Sequence, residues 1–218
     1  MGLPINKFIC ASNANNVLTD FIATGTYDKN RSFYATISPS MDILVSSNLE
    51  RFLYHMTECD DVKVKQWMTA LKTTGAYTVD DAVKEKITNL FVGGYCDDEK
   101  TKKIIDEFFN KYGYLCDTHT AVAVSVYKDY VESTGDRTPA VIDSTASPYK
   151  FSGSVLSAIA SAEKLPDDEF AMVELLNAKT GAPVPAPLAA LKDKETRFNN
   201  VCEAEDMPEF VLNALGVK

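Results

Sequence analysis

The chain has 218 residues, of which 45% are hydrophobic and 24% charged, and its 22 basic and 31 acidic residues give a net charge of −9. This composition excludes a disordered chain, and no apolar run approaches the roughly 18–20 residues that a membrane-spanning helix needs. The acidic balance disfavours nucleic-acid binding, because contacts with phosphates require clustered lysine and arginine, so neither a nucleic acid nor a membrane is expected as a partner.

The first predicted elements are a strand and a helix joined by a polar loop. The apolar run 7–11 predicts the strand, and residues 12–16 form a loop of small polar side chains. Residues 17–24 predict a helix, which Gly25 ends. A strand that leads into a helix through such a loop is half of an α/β unit.

The middle of the chain, residues 47–113, is predicted to be rich in helices, with no strong strand between them. Ser47 and Glu50 have the spacing of a capping box at a helix start. Apolar side chains then recur at helical spacing through two helices, and Thr78 is placed to cap a third. The adjacent glycines at 93–94 are interpreted as a turn.

A fourth helix is expected from about residue 98 to residue 112, with Gly113 at its end. Glu99 and Lys103 are predicted to form an i, i+4 pair on its polar face. Pairs of aspartates occur at or near the expected helix starts, where their charge complements the helix dipole. We therefore interpret these pairs as structural: residues 60–61, 80–81, 97–98 and 167–168.

Two apolar segments of the later chain are assigned differently. Residues 121–127 are ambiguous because they are rich in β-branched side chains, but the spacing of their apolar residues favours a helix. Residues 140–142 predict a short buried strand, which leads through a polar loop into a further helix around Leu156. A stiff proline-rich linker at 181–187 and a last helix over 208–215 complete the chain.

Two loops are candidate ligand sites, because ligands of α/β proteins gather where strands lead into helices. The loops at 12–16 and 144–148 carry hydroxyl and amide side chains beside unsatisfied helix N–H groups, which suit a phosphate or a polar ring. Helix capping and turn formation are the commoner roles of such residues and are favoured by composition alone, and the ligand-site interpretation stays open beside them. His119 is either a general base, a phosphate contact or a structural residue.

The cysteines predict neither a disulfide framework nor a metal site. They are five in number, widely spaced, and without a Cys-x-x-Cys pair. The two histidines are far apart in sequence, which leaves no metal-ligand spacing. We expect reduced thiols in a cytoplasmic protein that binds no metal.

Four segments, taken together and in order, resemble the threonine synthase family. The segments are ICASNANNVL at 9–18, TISPSMDILVSSNLER at 36–51, DTHTAVA at 117–123 and STASPYKF at 144–151. They span most of residues 3–160, whereas the tail matches only loosely. Four ordered motifs of this length are a far more specific signal than one short pattern.

The resemblance implies a fold and a reaction. The fold is the α/β fold of fold-type-II pyridoxal-phosphate enzymes, similar to the tryptophan synthase β-subunit, here an incomplete three-layer form with a helix-rich middle. The reaction is the conversion of O-phosphohomoserine and water to threonine and phosphate, in the lyase class and in threonine biosynthesis. The cofactor of that reaction is pyridoxal 5′-phosphate, which acts as an electron sink. Residues 1–160 would belong to the catalytic region, and residues 161–218 would form a linker and helical tail.

The resemblance also implies site residues. Thr145 would offer its hydroxyl to the pyridine nitrogen of the cofactor, and Ser144 would support that loop. Further residues fall in the matching segments as candidates for substrate contact or a structural role: Asn13, Asn15, Ser38, Asp42, Asn48, Arg51, His119 and Lys150.

Two family motifs have no counterpart in the chain. The Schiff-base lysine of the family lies in a Ser-Phe-Lys motif, whereas the one Ser-Phe here, Ser32-Phe33, is followed by Tyr34. The phosphate loop begins with Gly-Asn, a dipeptide that the sequence lacks. We therefore expect a C-terminal fragment, inactive alone, whose partner is the N-terminal part of the same enzyme. Two alternatives remain. One is a non-catalytic α/β module that binds a phosphorylated metabolite, and the other is an interaction domain whose helical middle packs on a partner.

Overall fold

The computed structural model describes residues 3–217, which divide into a compact unit, Met1–Pro183, and a smaller one, Val184–Lys218. The strands of the larger unit are β1 (Phe8–Ser12), β2 (Thr26–Asp28), β3 (Ala76–Thr78) and β4 (Phe91–Tyr95). Its helices are α1 (Val17–Thr24), α2 (Asn48–Met56), α3 (Asp61–Thr73), α4 (Asp81–Leu90), α5 (Asp98–Tyr112), α6 (Thr118–Thr134), α7 (Ser152–Ile159) and α8 (Glu169–Thr180). The smaller unit contains α9 (Ala186–Ala189) and α10 (Met207–Ala214).

A parallel pair of strands forms the middle layer of the larger unit. β1 pairs with β4 in a register that sets Phe8 opposite Phe91 and Ser12 opposite Tyr95. Helices α1 and α6 both pack on this pair, and α5 packs in turn on α6 and α7. Parallel strands need helices as crossovers, and here α1 and α4 lie between β1 and β4 along the chain.

Two adjacent glycines in β4 allow the helices to approach the strands closely. A Cβ atom on Gly93 would lie 2.9 Å from the Cα of Thr19 in α1, and one on Gly94 would lie 2.5 Å from Cγ1 of Val126 in α6. Because consecutive strand residues point to opposite faces, the two glycines make room for helices on opposite sides. Their interpretation as a turn is wrong.

A second core lies among α1 to α4 and the antiparallel pair β2–β3. Its centre is aromatic: the rings of Tyr27 and Tyr77 stack with centroids 5.5 Å apart, and Phe21 tilts against both. Leu53 of α2 and Ile87 of α4 are buried against this group. The apolar faces predicted for the first three helices of the middle segment therefore meet in one core.

Aspartates begin most of the long helices. In each case the side chain of the preceding aspartate accepts a hydrogen bond from the third helical N–H, at 2.7–3.0 Å. The structural interpretation of the aspartate pairs is confirmed at these positions: Asp60, Asp80, Asp97 and Asp168.

Three predicted local contacts are wrong. Ser47 lies at the start of α2 with helical backbone angles, and its side chain makes no cap hydrogen bond. Thr78 lies in β3, and Asp80 caps α4 instead. Glu99 pairs with Lys102 at 2.9 Å rather than with residue 103, because the i, i+3 partner is equally close on a helix surface.

The strand assignments need two further corrections. The middle segment contains β3 and β4, although no strong strand is predicted there. Residues 140–142 form neither a strand nor a buried segment, and Val141 is 93% exposed. A strand requires a hydrogen-bonded neighbour, and within residues 3–217 none pairs with this segment.

The predicted helices over 17–24, 98–112 and 121–127 are confirmed, and Gly25 and Gly113 end the first two in the left-handed conformation. The aspartate pair at 167–168 predicts the start of α8, whereas the extent of this helix is not predicted. The helix belongs to the larger unit because Tyr149 Oη and Asn177 Nδ2 both donate to the Ala182 carbonyl. The compact unit extends to Pro183.

Two further findings concern the chain as a whole. All five cysteines are unpaired. Within residues 3–217, no helix has the length and apolar character that crossing a membrane requires.

Gly94→Ala is expected to destabilise the chain by about 1–3 kcal/mol, because the stiff, buried Val126 must move. The free energy of unfolding in urea measures this loss. In the Gly94→Ala/Val126→Ala double variant, the loss is expected to be smaller than the sum of the two single losses.

Gly153→Ala is the matched control. Its Cβ would meet the Met172 sulfur at 3.0 Å, and a flexible thioether moves aside at little cost. We expect a change within about 0.5 kcal/mol. Equal effects of the Gly94 and Gly153 substitutions would contradict the close approach of β4 to α6.

Candidate functional site

A cluster of buried amide, hydroxyl and carboxylate groups lies at the carboxyl end of β1. We call it the amide cluster, and it consists of Asn13, Asn15, Thr36, Ser38 and Asp42. Its centre is Asn13, whose Nδ2 lies 2.7 Å from Asp42 Oδ1, 2.8 Å from Thr36 Oγ1 and 3.1 Å from Ser38 Oγ. The local turn is built by Asn13 Oδ1, which accepts from the Asn15 backbone N–H at 2.9 Å. Asn13 and Ser38 are almost completely buried, and these contacts satisfy their polar atoms.

The side chain of Asn15 attaches the loop at 34–42 to the end of β1. Its Nδ2 donates to the Tyr34 carbonyl at 2.8 Å, and its Oδ1 accepts from the Tyr34 N–H at 2.9 Å. Asp42 Oδ2 accepts from the Thr36 N–H at 2.9 Å, which closes the loop on itself. The amide cluster therefore holds the loop in one position.

His119 connects the same loop to the start of α6. Its Nε2 accepts from the Ser40 backbone N–H at 3.1 Å, and its Nδ1 lies 3.2 Å from Asp117 Oδ1. Since an N–H points at Nε2, the proton of the neutral ring lies on Nδ1. The ring is 4% exposed and packs on Phe151, with centroids 4.7 Å apart. With both nitrogens engaged, His119 is placed to anchor the loop rather than to accept a substrate proton.

Asp117 is the buried centre of the α6 start. Its Oδ1 accepts from the backbone N–H groups of His119 and Thr120 at 2.8 and 3.2 Å, and its Oδ2 accepts from the Thr120 hydroxyl. Burial raises the pKa of the carboxyl, but the hydrogen bonds from His119 and Thr120 outweigh it and hold the pKa below its ordinary value. The group is therefore a carboxylate at neutral pH.

Ser144 lies at the far end of this network. Its Oγ is 3.1 Å from Thr120 Oγ1, and it lines a cavity of about 480 Å³ together with Asp117, Ser147 and Tyr149. That volume lies within the usual range of small-molecule pockets, about 300–1,000 Å³. The neighbouring Thr145 is exposed, and its hydroxyl has no hydrogen-bond partner within the described chain.

Besides Thr145, three of the candidate residues lie outside this network. Asn48 and Arg51 are exposed on α2, where Arg51 Nη2 donates to Asn48 Oδ1 at 2.9 Å, and they line a separate open cavity of about 860 Å³ toward α3. Lys150 is exposed, with Nζ 5.5 Å from the centre of the Phe151 ring. The structure thus brings six candidates together in two hydrogen-bonded groups that the loop at 34–42 connects: Asn13, Asn15, Ser38 and Asp42 in one, and His119 and Ser144 in the other.

The sequence analysis does not identify Thr36, Asp117 or Thr120 as members of the network. Asp117 was recognisable from the Asp-x-x-Thr spacing at a helix start, which is typical of a capping residue. Thr36 has no such local signal, because its partner Asn13 is 23 residues away.

Among residues 3–217, no group of three or more potential ligands is placed to hold a metal ion.

Comparisons with known proteins agree on one family. Residues 120–211 match a family model described as "Threonine synthase, C-terminal". Human threonine synthase-like 1 is 38% identical over 209 residues, which cover 94% of this chain and 28% of that protein. Threonine synthase of Saccharomyces cerevisiae is 36% identical over 173 residues, covering 73% of this chain and 34% of the yeast protein. The chain thus spans about a third or less of these curated relatives.

A crystal structure of pyridoxal-phosphate-bound threonine synthase from Brucella melitensis superimposes with a TM-score of 0.69 at 31% identity. The match covers 84% of this chain and 42% of the Brucella chain. The crystal structure of the yeast enzyme gives the same TM-score and identity. The resemblance drawn from the four sequence segments is therefore confirmed, and so is the incomplete α/β fold class.

Asp117→Ala is expected to destabilise the chain by about 1–3 kcal/mol near neutral pH, because it removes a helix cap and leaves buried donors unsatisfied. The folded-state pKa of Asp117 lies below its ordinary value of 3.8. The stabilisation is therefore complete above about pH 4 and is lost as the pH falls through the folded-state pKa. Urea unfolding of both proteins across this range measures the difference.

Asp60→Ala is the matched control, since the exposed Asp60 caps α3 through one contact, with the Lys63 N–H. We expect a loss of about 0.5–1 kcal/mol. A difference between wild type and Asp117→Ala that stays constant down to about pH 2 would contradict the assignment of Asp117 as a stabilising carboxylate.

Proposed function

The chain is homologous to the C-terminal part of threonine synthases, and from that premise we propose that it supplies this part of a pyridoxal-phosphate-dependent lyase site. The proposed reaction converts O-phosphohomoserine and water to threonine and phosphate. The observation that carries the proposal is the pair of hydrogen-bonded clusters that the loop at 34–42 connects, one around Asn13 and one from His119 to Ser144, which together bring residues of three separate motifs into one place.

The donor groups at Ser144 and Thr145 fit the pyridine ring of the cofactor. Both are neutral hydroxyls: Ser144 lines the cavity of about 480 Å³, and the adjacent Thr145 is exposed, so its hydroxyl is free to donate to a ring nitrogen. A neutral hydroxyl donates a hydrogen bond to that nitrogen and leaves it unprotonated. An aspartate in the same place would instead keep the nitrogen protonated. When bound, pyridoxal phosphate supplies an electron sink for carbanion chemistry.

The rest of the network has a positioning role in this proposal. The amide cluster and His119 hold the loop at 34–42 against the starts of α1 and α6. At the start of α1, where no side chain caps the helix, the first N–H groups favour an anion. Because the loop is held by buried contacts, its backbone needs little reorganisation when the phosphorylated substrate binds. Asn48, Arg51 and Lys150 remain candidates for substrate contact from outside the network.

The lysine and the phosphate loop must come from a segment outside this sequence, in which neither the Ser-Phe-Lys nor the Gly-Asn motif occurs. The proposed partner is accordingly the N-terminal part of a threonine synthase. We also propose the cytoplasm as the compartment, since a reducing environment keeps unpaired thiols of this kind in the reduced state.

A chimera tests the function directly. This chain replaces the matching third of yeast threonine synthase, and threonine formation from O-phosphohomoserine is measured for the chimera and for the chain alone. We expect threonine from the chimera and none from the chain alone. Activity of the chain alone, or a folded chimera that binds pyridoxal phosphate but releases no threonine, would contradict the proposal.

Thr145 variants of the chimera test the site assignment. Thr145→Val is expected to lower kcat/KM roughly 10–100-fold, because it removes one hydrogen bond to the cofactor ring. Thr145→Ser keeps the hydroxyl and is the matched control, with activity expected within about threefold of the parent. A Thr145→Val chimera as active as the parent would remove Thr145 from the site.

A second experiment distinguishes the alternative function, a module that binds a phosphorylated metabolite without catalysis. In that case inorganic phosphate raises the Tm of the chain, while the chimera stays inactive.

A further inference from the structure

The loop that carries Ser144 and Thr145 has few contacts on its N-terminal side. Residues 139–143 make no hydrogen bond within the part of the chain that the structure describes. Ser144 Oγ accepts a hydrogen bond from Thr120 Oγ1 at 3.1 Å, but the exposed Thr145 has no such contact within residues 3–217. The position of Thr145 therefore depends on what holds the loop on its C-terminal side.

The C-terminal side of the loop is held by Tyr149, which lies in the 3₁₀ turn Pro148–Phe151. The Tyr149 N–H donates to Ser147 Oγ at 3.3 Å, and the Tyr149 carbonyl accepts from Ser152 Oγ at 2.9 Å. The side chain is 4% exposed, and its Oη donates to the carbonyl of Ala182, 33 residues further along the chain. Tyr149 therefore joins the loop to the end of α8.

The acceptor of this hydrogen bond is held by α8 itself. Asn177 Nδ2 donates to the same Ala182 carbonyl at 2.7 Å, and the Gly181 N–H donates to the Asn177 carbonyl at 2.8 Å. The Ala182 N–H donates to Thr180 Oγ1 at 3.2 Å, which closes the turn. The helix packs on α7, and its Leu176 is completely buried. The Ala182 carbonyl is therefore a fixed anchor for the loop.

The same hydrogen bond joins two sides of the cavity of about 480 Å³. Ser144, Ser147 and Tyr149 line this cavity from the loop, and residues 180–183 line it from the end of α8. Because the Tyr149 hydroxyl connects the two sides, it sets the distance between them.

We propose that Tyr149 is a positioning residue of the candidate site: its hydroxyl joins the loop at 144–148 to α8 and so holds the exposed Thr145 near one position before a ligand binds. A loop held in this way loses less conformational entropy when a ligand orders it, so the ligand binds more tightly. The cofactor as the ligand rests on the proposed function, whereas the positioning of the loop does not.

Tyr149→Phe and Asn177→Ala form a matched pair of variants. Each removes one of the two side-chain hydrogen bonds to the Ala182 carbonyl and leaves the other in place, so this acceptor keeps a partner in both. We expect each variant to lower the Tm of the chain by about 2–4 °C. Only Tyr149→Phe releases the loop, because the Asn177 hydrogen bond joins α8 to its own end rather than to the loop.

Backbone ¹⁵N relaxation of the chain measures the release of the loop. We expect amide order parameters of Thr145 and Ala146 above about 0.6 in wild type and in Asn177→Ala, and below that value in Tyr149→Phe. Order parameters in Tyr149→Phe equal to those of wild type would overturn the proposal. So would a wild-type loop that is already below this value, or a fall of the same size in Asn177→Ala, because the loop would then respond to destabilisation in general.

Binding of pyridoxal phosphate by the chimera tests the consequence for the site. We expect Tyr149→Phe to raise the Kd of the cofactor roughly fivefold to tenfold, since binding must then order a mobile loop. At saturating cofactor the loop is already ordered, so kcat is expected to stay within about twofold of the parent. Asn177→Ala is expected to bind the cofactor as the parent does. A Kd that is unchanged in Tyr149→Phe, or raised equally in Asn177→Ala, would refute the positioning role.

The relaxation measurement does not depend on the reaction. An inactive chimera together with a loop that Tyr149→Phe releases would count against the proposed function alone. An active chimera together with equal order parameters in wild type and Tyr149→Phe would count against the positioning role alone.

Discussion

The buried carboxylate of Asp117 is the interaction on which the rest of the site depends. A charge in a protein interior is tolerated only when donors surround it, and here two backbone N–H groups, an imidazole N–H and a hydroxyl do so. These donors belong to the first turn of α6, so the start of this helix is fixed by the same contacts that stabilise the charge. The loop at 34–42 and the Ser144 loop are both positioned relative to that point.

The parallel strand pair gives this network its rigid support. Because Gly93 and Gly94 carry no side chains, α1 and α6 lie directly against the two faces of β4. The amide cluster follows β1, and Asp117 precedes α6, so the close layers set the distance between the two halves of the network. A bulkier strand would move α6 outward and stretch the bond between Ser40 and His119.

Local signals predicted the parts of the fold that depend on neighbours in sequence. The helix over 17–24 carries its own stop at Gly25, and α5 carries both its aspartate cap and Gly113. The strand β4 was missed because the sequence Phe91–Tyr95 has two glycines, which disfavour strands when packing is unknown. Its stability comes from β1, about 80 positions earlier in the chain, and that pairing has no local signature. In the candidate site, the four segments contain the side chains that the structure brings together, whereas the connection of His119 to Ser144 through Asp117 and Thr120 required the folded geometry.

The exposed segment at 140–142 gives the site a second property. It is an apolar stretch without a paired neighbour within residues 3–217, and it ends two residues before Ser144. Any strand that paired with this segment would also restrict the backbone of Ser144 and Thr145. A ligand that bound afterwards would then lose less conformational entropy in ordering those two residues. Such pairing would therefore be thermodynamically linked to the affinity of the cavity: a ligand bound at Ser144 would favour pairing at Val141 by the same factor by which pairing would tighten the ligand.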